Sequence, residues 1–183
     1  MVEYDDLKNP KRTFVIAEAG SNWKCGTYDE DLNQAKQLIK IAAKAGCDAV
    51  KFQKRTVEKV YSKEVLDSPR ESPWGTTTRE QKLGLEFSIK QYEEIDKYCG
   101  EKRIPWYVSC WDTDSQIDMR KFKTKFNKVA SAMLIHHRLL ELIANCASVS
   151  TKSHDESSIK RVNVPVASSL FVIVNGIGVG VGV

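Results

Sequence analysis

The sequence predicts an α/β fold in which strands and helices alternate along the first 146 residues. Short runs of apolar and β-branched residues, typical of buried strands, are each followed by a segment with apolar residues at helical spacing. This alternation occurs four times, and repeated strand–helix units favour a parallel sheet with right-handed crossovers. Four such units are half of an eight-unit barrel, which needs about 250 residues.

The predicted strands are short, apolar and bounded by charged residues, glycine or proline. Alternation along the second strand would place Lys51 and Gln53 on one face and Phe52 on the other. Polar side chains stand where the strands end, which is the edge of a parallel α/β sheet at which ligands bind. The predicted strands occupy residues 13–17, 48–53, 104–110 and 127–132.

The predicted helices carry apolar residues three and four positions apart and have recognisable ends. Gly46 ends the first helix, and Ser88 is the predicted N-cap of the second. Around the third helix we expect Ile117, Met119 and Phe122 to be buried. The helices occupy residues 31–45, a segment that runs from Ser88 through Cys99, residues 114–121 and residues 136–145.

Two further segments do not fit the strand–helix pattern. Residues 54–86 are polar and predict a long loop, which at that length is expected to be functional or disordered. Residues 147–161 are rich in serine and charge, and residues 164–183 are uncharged. We therefore predict a partial barrel domain over residues 1–146 and a divergent low-complexity tail over residues 147–183, interpreted as an altered or truncated reading of a longer protein.

Composition argues against several classes of protein. The 183 residues include 28 basic and 24 acidic side chains, and the net charge of +4 is too small to indicate nucleic-acid binding. The five cysteines lack CxxC spacing, so we expect reduced thiols in a cytosolic protein rather than a zinc site or a disulfide framework. Residues 1–12 lack the apolar core of a secretory signal, and Pro165, Asn175 and four glycines argue against a membrane anchor in the tail.

Charged and hydroxyl side chains at the strand ends are the candidate functional residues. Lys51 lies within a β-branched strand and would cost desolvation free energy unless it meets an anion such as a phosphate or carboxylate. The alternative is a solvated lysine at a sheet edge, and for Glu18 it is a structural ion pair with a neighbouring lysine. Lys128, if it faces inward at the level of Lys51, would add a second cation. Ser109, Asp112 and Ser131 add polar groups at the ends of the third and fourth strands.

Three motifs taken together resemble the sialic acid synthase family of phosphoenolpyruvate-dependent condensing enzymes. They are Ile16-Ala-Glu-Ala-Gly-Ser-Asn22, Ala49-Val-Lys-Phe-Gln53 and Lys128-Val-Ala-Ser131. Residues 74–77 and 109–112 are also similar to that family, and the resemblance covers about residues 10–146. It implies a (β/α)8 barrel of the TIM type, of which about the first four units are present.

The resemblance also implies an activity. Family members join phosphoenolpyruvate to an N-acetylated aminosugar of the N-acetylmannosamine type, form a nonulosonic acid and release phosphate. A divalent metal, Mn²⁺ or Mg²⁺, a homodimer and a cytoplasmic location are expected on the same grounds. The matching positions are Lys51, Ser109, Lys128 and Ser131 for phosphoenolpyruvate binding, and Glu18 and Gln53 for catalysis on the pocket side of the first two strands.

The chain also departs from the family pattern. Trp23 stands where the family usually has a histidine, and nothing in residues 147–183 resembles the second half-barrel that supplies the metal-binding histidines. We therefore expect the chain to bind phosphoenolpyruvate weakly and not to turn over by itself. Two alternatives stay open: a catalytically inactive half-barrel, and another phosphoenolpyruvate-dependent synthase of 3-deoxy sugar acids.

Overall fold

A parallel sheet forms the centre of the molecule. The computed structural model describes residues 14–23 and 26–147. Four strands run parallel in the order β1-β2-β5-β6, and a separate antiparallel hairpin pairs β3 with β4. The predicted α/β class is therefore confirmed. The strands are β1 (Ile16–Glu18), β2 (Ala49–Lys54), β3 (Pro69–Ser72), β4 (Gly75–Thr77), β5 (Trp106–Cys110) and β6 (Lys128–Val129).

Helices follow the strands of the main sheet, and the two longest begin at capping boxes. Thr27 caps α1 and Ser88 caps α5, as predicted for Ser88. Gly46, with φ +78°, follows the end of α1 and takes the left-handed conformation that glycine tolerates. The helices are α1 (Tyr28–Lys44), α2 (Val57–Val60), α3 (Lys63–Leu66), α4 (Thr78–Gly84), α5 (Ile89–Lys102), α6 (Thr113–Met119) and α7 (His137–Ala147), with 3₁₀ turns at Arg120–Phe122 and Ser131–Met133.

One face of the sheet forms the apolar core against α1 and α5. Val50, Phe52, Trp106 and Val108 are all buried on this face. Tyr92 of α5 stacks on Trp106 with ring centroids 5.8 Å apart, and Phe52 meets Trp106 edge-on at 6.2 Å. Because side chains alternate along a strand, the residues between these lie on the opposite face. That opposite face carries the polar groups described below.

The predicted fourth strand is wrong beyond Val129. Residues 127–132 form a strand only at Lys128–Val129, because the chain then turns into the 3₁₀ helix Ser131–Met133. The Met133 N–H closes this turn on the Ala130 carbonyl at 2.8 Å. Ser131 therefore lies outside the sheet and is exposed.

The predicted burial of Ile117 is also wrong. Ile117 in α6 is 54% exposed, whereas Met119 is buried and Phe122 packs against the core. On a helix, residues two positions apart point in clearly different directions, so Met119 and Ile117 cannot both face the sheet. The core therefore takes Met119 and leaves Ile117 at the surface.

The segment 54–86 was predicted as a loop and is instead ordered. After β2 ends at Lys54, it holds the short helices α2 and α3, the β3–β4 hairpin and α4. Glu80 of α4 holds the hairpin end, since its Oε2 accepts hydrogen bonds from the Thr76 N–H at 2.8 Å and the Thr77 N–H at 3.0 Å. The polar composition of this segment thus reflects short exposed elements with capping side chains rather than a lack of structure.

Two further observations concern the described part of the chain. Cys47, Cys99 and Cys110 are free thiols. Within residues 14–23 and 26–147, no helix is both long and apolar enough to cross a membrane. The predicted packing of the tail from residue 148 onward lies outside the described residues.

Candidate anion-binding site at the strand ends

The register of the parallel sheet brings five of the six predicted site residues together. Glu18 of β1 lies opposite Lys51 of β2, Gln53 lies opposite Ser109 of β5, and Ser109 lies opposite Lys128 of β6. Glu18, Gln53 and Ser109 lie at or next to the carboxyl ends of their strands, Lys51 lies in the middle of β2, and Lys128 begins the two-residue strand β6. Alternation places all five on the face that points away from the helices. Parallel α/β proteins bind ligands at this edge.

Two lysines lie side by side in this group. Lys51 is 6% exposed and forms an ion pair with the Glu18 carboxylate. Burial of Lys128, together with the nearby positive charge of Lys51, lowers the Lys128 pKa below its ordinary value. Two ammonium groups and one carboxylate leave the group with an excess of positive charge. The arrangement therefore favours an anionic ligand.

Ser109 adds a hydroxyl group that the fold itself does not use. It is 2% exposed, and within the described residues its Oγ has no hydrogen-bond partner. Its neighbours Val108 and Cys110 are in the core, so alternation places Ser109 on the lysine-bearing face. A buried unpaired hydroxyl costs free energy and calls for an explanation. A ligand oxygen at this site would accept its hydrogen bond.

Gly20 allows Glu18 and Gln53 to approach the loop that follows β1. A Cβ atom at position 20 would lie 3.3 Å from the Glu18 Oε1 and 3.5 Å from the Gln53 Nε2. A side chain there would therefore crowd the Glu18 carboxylate and make an ordinary contact with the Gln53 amide. On the other side, the Gln53 carbonyl accepts a hydrogen bond of 2.8 Å from the buried Tyr92 hydroxyl, which fixes the end of β2 against the core.

Tyr107 belongs to this group, although the sequence analysis did not single it out. It is 3% exposed and lies opposite Lys51 in the sheet register. Burial, with the negative charge of Glu18, raises the Tyr107 pKa, so the phenol stays neutral at physiological pH. The signal that would have found it is alternation, since Tyr107 and Ser109 are two positions apart in one strand.

Two other predicted polar residues have different positions. Ser131, exposed in its 3₁₀ helix, is not brought to the lysines by the sheet register. Asp112 caps α6 and accepts hydrogen bonds from the Ser115 hydroxyl at 2.6 Å and the Thr56 N–H at 2.7 Å. Burial opposes its ionisation, but the hydrogen bonds outweigh burial and hold the Asp112 pKa below its usual value. Asp112 therefore ties the loop after β2 to the start of α6.

A second ion pair lies next to the site and is closed by its own contacts. The Arg55 Nε contacts the Glu86 Oε1 at 2.7 Å, its Nη1 donates to the Tyr61 hydroxyl at 3.0 Å, and its guanidinium lies over the Trp111 ring. Burial raises the Glu86 pKa, and the charges of Lys54 and Arg55 offset part of that rise. This cluster holds the segment after β2 against the sheet.

The described residues offer no ligand set for the divalent metal that the resemblance implies. No three His, Cys, Asp or Glu side chains between residues 14 and 147, apart from the undescribed positions, lie close enough to hold an ion. The residues present at the strand ends are two lysines, a glutamine and a serine with a single carboxylate, and this set suits an anion rather than a cation.

A sequence model of the NeuB family matches residues 38–163. This chain belongs to the NeuB family. The match passes the boundary predicted at residue 146, and it confirms the resemblance to sialic acid synthases. Human N-acetylneuraminate-9-phosphate synthase is 36% identical over 120 residues, which are 64% of this chain and 32% of that protein.

Other NeuB relatives make related sugars or share the fold. A Campylobacter jejuni N,N'-diacetyllegionaminic acid synthase is 30% identical over 138 residues, covering 73% of this chain and 40% of that protein. The sialic acid synthetase structure of Leptospira borgpetersenii superposes with a TM-score of 0.58 at 24% identity, over 73% of this chain and 41% of that one. The fold is thus a parallel α/β half-barrel like that of the synthetase, and the chain spans about a third of the length of the first curated relatives it matches.

Proposed function

We propose that the strand-end site serves a synthase reaction in which phosphoenolpyruvate condenses with an N-acetylated aminosugar of the N-acetylmannosamine type. The product is a nonulosonic acid, and phosphate is released. The observation that carries the proposal is the pair Lys51 and Lys128 beside the unpartnered Ser109 hydroxyl. Relatives named as synthases of sialic and legionaminic acids support it.

Phosphoenolpyruvate suits this group of residues because it carries both a carboxylate and a phosphate. Lys51 and Lys128 supply the two cations that such a ligand needs, and the Ser109 hydroxyl supplies a hydrogen bond. Ser131, three residues after Lys128, is proposed to complete the phosphoenolpyruvate contacts. Fixed cations also stabilise the negative charge that develops on a departing phosphate, without reorganisation during the reaction.

The proposed reaction forms one carbon–carbon bond and one carbon–oxygen bond to water, and it breaks the carbon–oxygen bond to the phosphate. Carbon 3 of phosphoenolpyruvate bonds to the aldehyde carbon of the sugar, water adds to carbon 2, and phosphate leaves with the bridging oxygen. Of the two protons of the water, one ends on the former aldehyde oxygen and the other leaves with the phosphate. We assign the proton transfer to the Glu18 carboxylate and the orientation of the reactants to the Gln53 amide.

The rest of the family assignment is part of the same proposal. We propose a (β/α)8 barrel of the TIM type to which the described half-barrel contributes the first four units, in a cytoplasmic homodimer. The family implies Mn²⁺ or Mg²⁺, but the described residues do not fit a metal site, so no step is assigned to the ion. We expect the 183-residue chain to bind phosphoenolpyruvate without turning it over.

Isothermal titration of the chain with phosphoenolpyruvate tests the proposal. Lys51→Met keeps the length of the side chain and removes its charge, and it should weaken binding about tenfold or more, since a charge-assisted hydrogen bond contributes about 1.5–3 kcal/mol. Lys36→Met is the matched control, because Lys36 pairs with Glu94 between α1 and α5, on the helix side of the sheet. Equal binding by Lys51→Met and the unmodified chain would refute the site.

Phosphate release separates an active synthase from a non-catalytic half-barrel. The chain is incubated with phosphoenolpyruvate, N-acetylmannosamine and Mn²⁺, and release is compared with that of Lys51→Met. We expect no difference, because much of the rate of such a reaction comes from holding both substrates together. Release above the variant would show that the chain itself completes the active site.

A further inference from the structure

Glu18 holds the position on Lys51 that an anionic ligand would need. The two side chains form an ion pair and lie directly opposite each other in the register of β1 and β2. Their exposures differ sharply, since the Lys51 side chain is 8% exposed and the Glu18 side chain is 57% exposed. A buried ammonium group requires a counter-ion, whereas an exposed carboxylate can turn into solvent at small cost.

The groups around this pair retain capacity for an incoming anion. Lys128, from β6, brings a second positive charge next to Lys51. Ser109, from β5, brings a buried hydroxyl for which the described residues provide no partner. Tyr107 also lies near Glu18, and burial raises its pKa and keeps it uncharged. An oxyanion that replaced Glu18 would therefore meet two cations and a hydrogen-bond donor, more than the Glu18 carboxylate itself uses.

We propose that Glu18 is an exchangeable counter-ion of Lys51. A phosphate or carboxylate group takes its place on the lysine, and the released Glu18 carboxylate, already largely exposed, turns away from the lysine. The inference rests on the proposed function, in which that ligand group belongs to phosphoenolpyruvate. In consequence, binding of the ligand group to Lys51 and release of the Glu18 carboxylate from Lys51 are one event. Glu18 therefore becomes available for proton transfer only when the site is occupied.

An exchangeable counter-ion and a structural one give opposite results when the charge is removed. If Glu18 only supports the fold, Glu18→Gln weakens both the protein and its site. If Glu18 competes with the ligand, Glu18→Gln leaves Lys51 in need of an anion and therefore tightens ligand binding. The sign of the change in affinity thus separates the two roles.

The experiment measures the dissociation constants of inorganic phosphate and of phosphoenolpyruvate by calorimetry at pH 8 and constant ionic strength. Glu18→Gln should bind phosphate about fivefold more tightly, the scale expected for removing a competing ion pair that is only partly buried. Glu94→Gln is the matched control, since Glu94 is also a partly exposed glutamate paired with a lysine, at 3.1 Å from Lys36. Its affinity for phosphate should stay within about twofold of that of the unmodified chain.

Thermal unfolding supplies a second readout. Without phosphate, Glu18→Gln should unfold at a lower temperature than the unmodified chain, because Lys51 has lost its counter-ion. Added phosphate should raise the unfolding temperature more in the variant, as tighter binding to the folded state requires. Unchanged or weaker phosphate binding in Glu18→Gln overturns the exchange and leaves the proposed function standing, provided Lys51→Met still loses phosphoenolpyruvate. Absence of binding in every variant overturns both.

Discussion

The two ion pairs formed by β2 and the residue after it differ in how completely protein groups surround them. Arg55 is buried, and its guanidinium contacts the Glu86 carboxylate, the Tyr61 hydroxyl and the Trp111 ring. Glu86 in turn accepts a hydrogen bond from the Arg55 backbone N–H at 3.1 Å and lies 3.5 Å from the Lys54 Nζ. We call this pair closed because protein groups surround both of its charges. The Arg55 Nε and the Glu86 Oε1 lie 2.7 Å apart as an ion pair and have no hydrogen-bond partner among the described residues.

The Lys51–Glu18 pair is open by comparison. Its carboxylate is mostly exposed, a second ammonium group stands beside its lysine, and the nearby Ser109 hydroxyl has no partner within the described residues. Lys51 and Arg55 are buried to a similar degree, so the burial of a cation alone does not identify the binding site. What distinguishes the site is that its carboxylate is exposed, while a second ammonium group and an unpartnered hydroxyl lie near its lysine.

The largest expected effect is on stability, at the closed pair. Glu86→Ala should lower the free energy of unfolding by about 3 kcal/mol, because it leaves the buried Arg55 without its carboxylate. Urea denaturation measures this change. Glu86→Gln should cost less, since it keeps an acceptor for the Arg55 N–H and since burial already raises the pKa of this carboxyl.

The comparison fails if Glu18→Ala costs as much stability as Glu86→Ala. We expect a loss below about 1 kcal/mol at Glu18, because its carboxylate is largely in solvent and exposed ion pairs contribute little. Equal losses would mean that both pairs are structural.

The open pair could be predicted from the sequence, whereas the closed pair could not. Alternation along β2 fixes Lys51 on the face opposite Phe52, and parallel pairing then places the ends of neighbouring strands together whatever lies between them. Arg55 and Glu86 meet only because the segment between them folds back through its own helices and hairpin. That segment has no long apolar periodicity, so its composition predicted a loop. The contact between Arg55 and Glu86 could therefore not be predicted.

Ser131 shows a second limit of the sequence. Ser131 belongs to a motif within the predicted fourth strand, so we expected it to lie in the sheet. The strand β6 instead ends after two residues. Where a strand stops is decided by competition between sheet hydrogen bonds and local turns, here the turn closed by Met133 on Ala130. The outcome of this competition depends little on residue type, so the end of the strand could not be predicted from the sequence.

The next largest effect is expected at two buried serines, Ser115 and Ser109. The Ser115 hydroxyl has a protein partner and the Ser109 hydroxyl has none among the described residues. Ser115 is fully buried and donates to Asp112 at 2.6 Å, so Ser115→Ala should cost about 1.5 kcal/mol of unfolding free energy. Ser109→Ala removes an unpartnered hydroxyl, so it should leave stability unchanged or raise it by about 0.5–1 kcal/mol.

Ligand binding should show the reverse order. Ser109→Ala should weaken phosphate binding several-fold, while Ser115→Ala should leave the dissociation constant of the folded protein unchanged. Calorimetric titration and urea denaturation of the same two variants provide both measurements. A loss of stability in Ser109→Ala comparable to that in Ser115→Ala would show that the Ser109 hydroxyl serves the fold.

The smallest effect is the pH dependence of the open site. Burial and the neighbouring Lys51 lower the Lys128 pKa, so Lys128 loses its proton at a pH below the value of about 10.4 usual for lysine. The protonated form attracts the anion, and phosphate affinity should therefore fall about two- to threefold as the pH rises from 8 towards 10.

The stability of the protein without ligand should change in the opposite direction. Between the lowered pKa of Lys128 in the folded protein and its ordinary pKa in the unfolded chain, the unfolded chain holds more protons. The contribution of Lys128 to the free energy of unfolding therefore rises with pH in this range. Lys128→Arg keeps its charge throughout this range and should flatten the affinity profile, since Tyr107, whose pKa is raised by burial, does not titrate there. An identical decline in Lys128→Arg and the unmodified chain would show that the pH dependence does not come from Lys128.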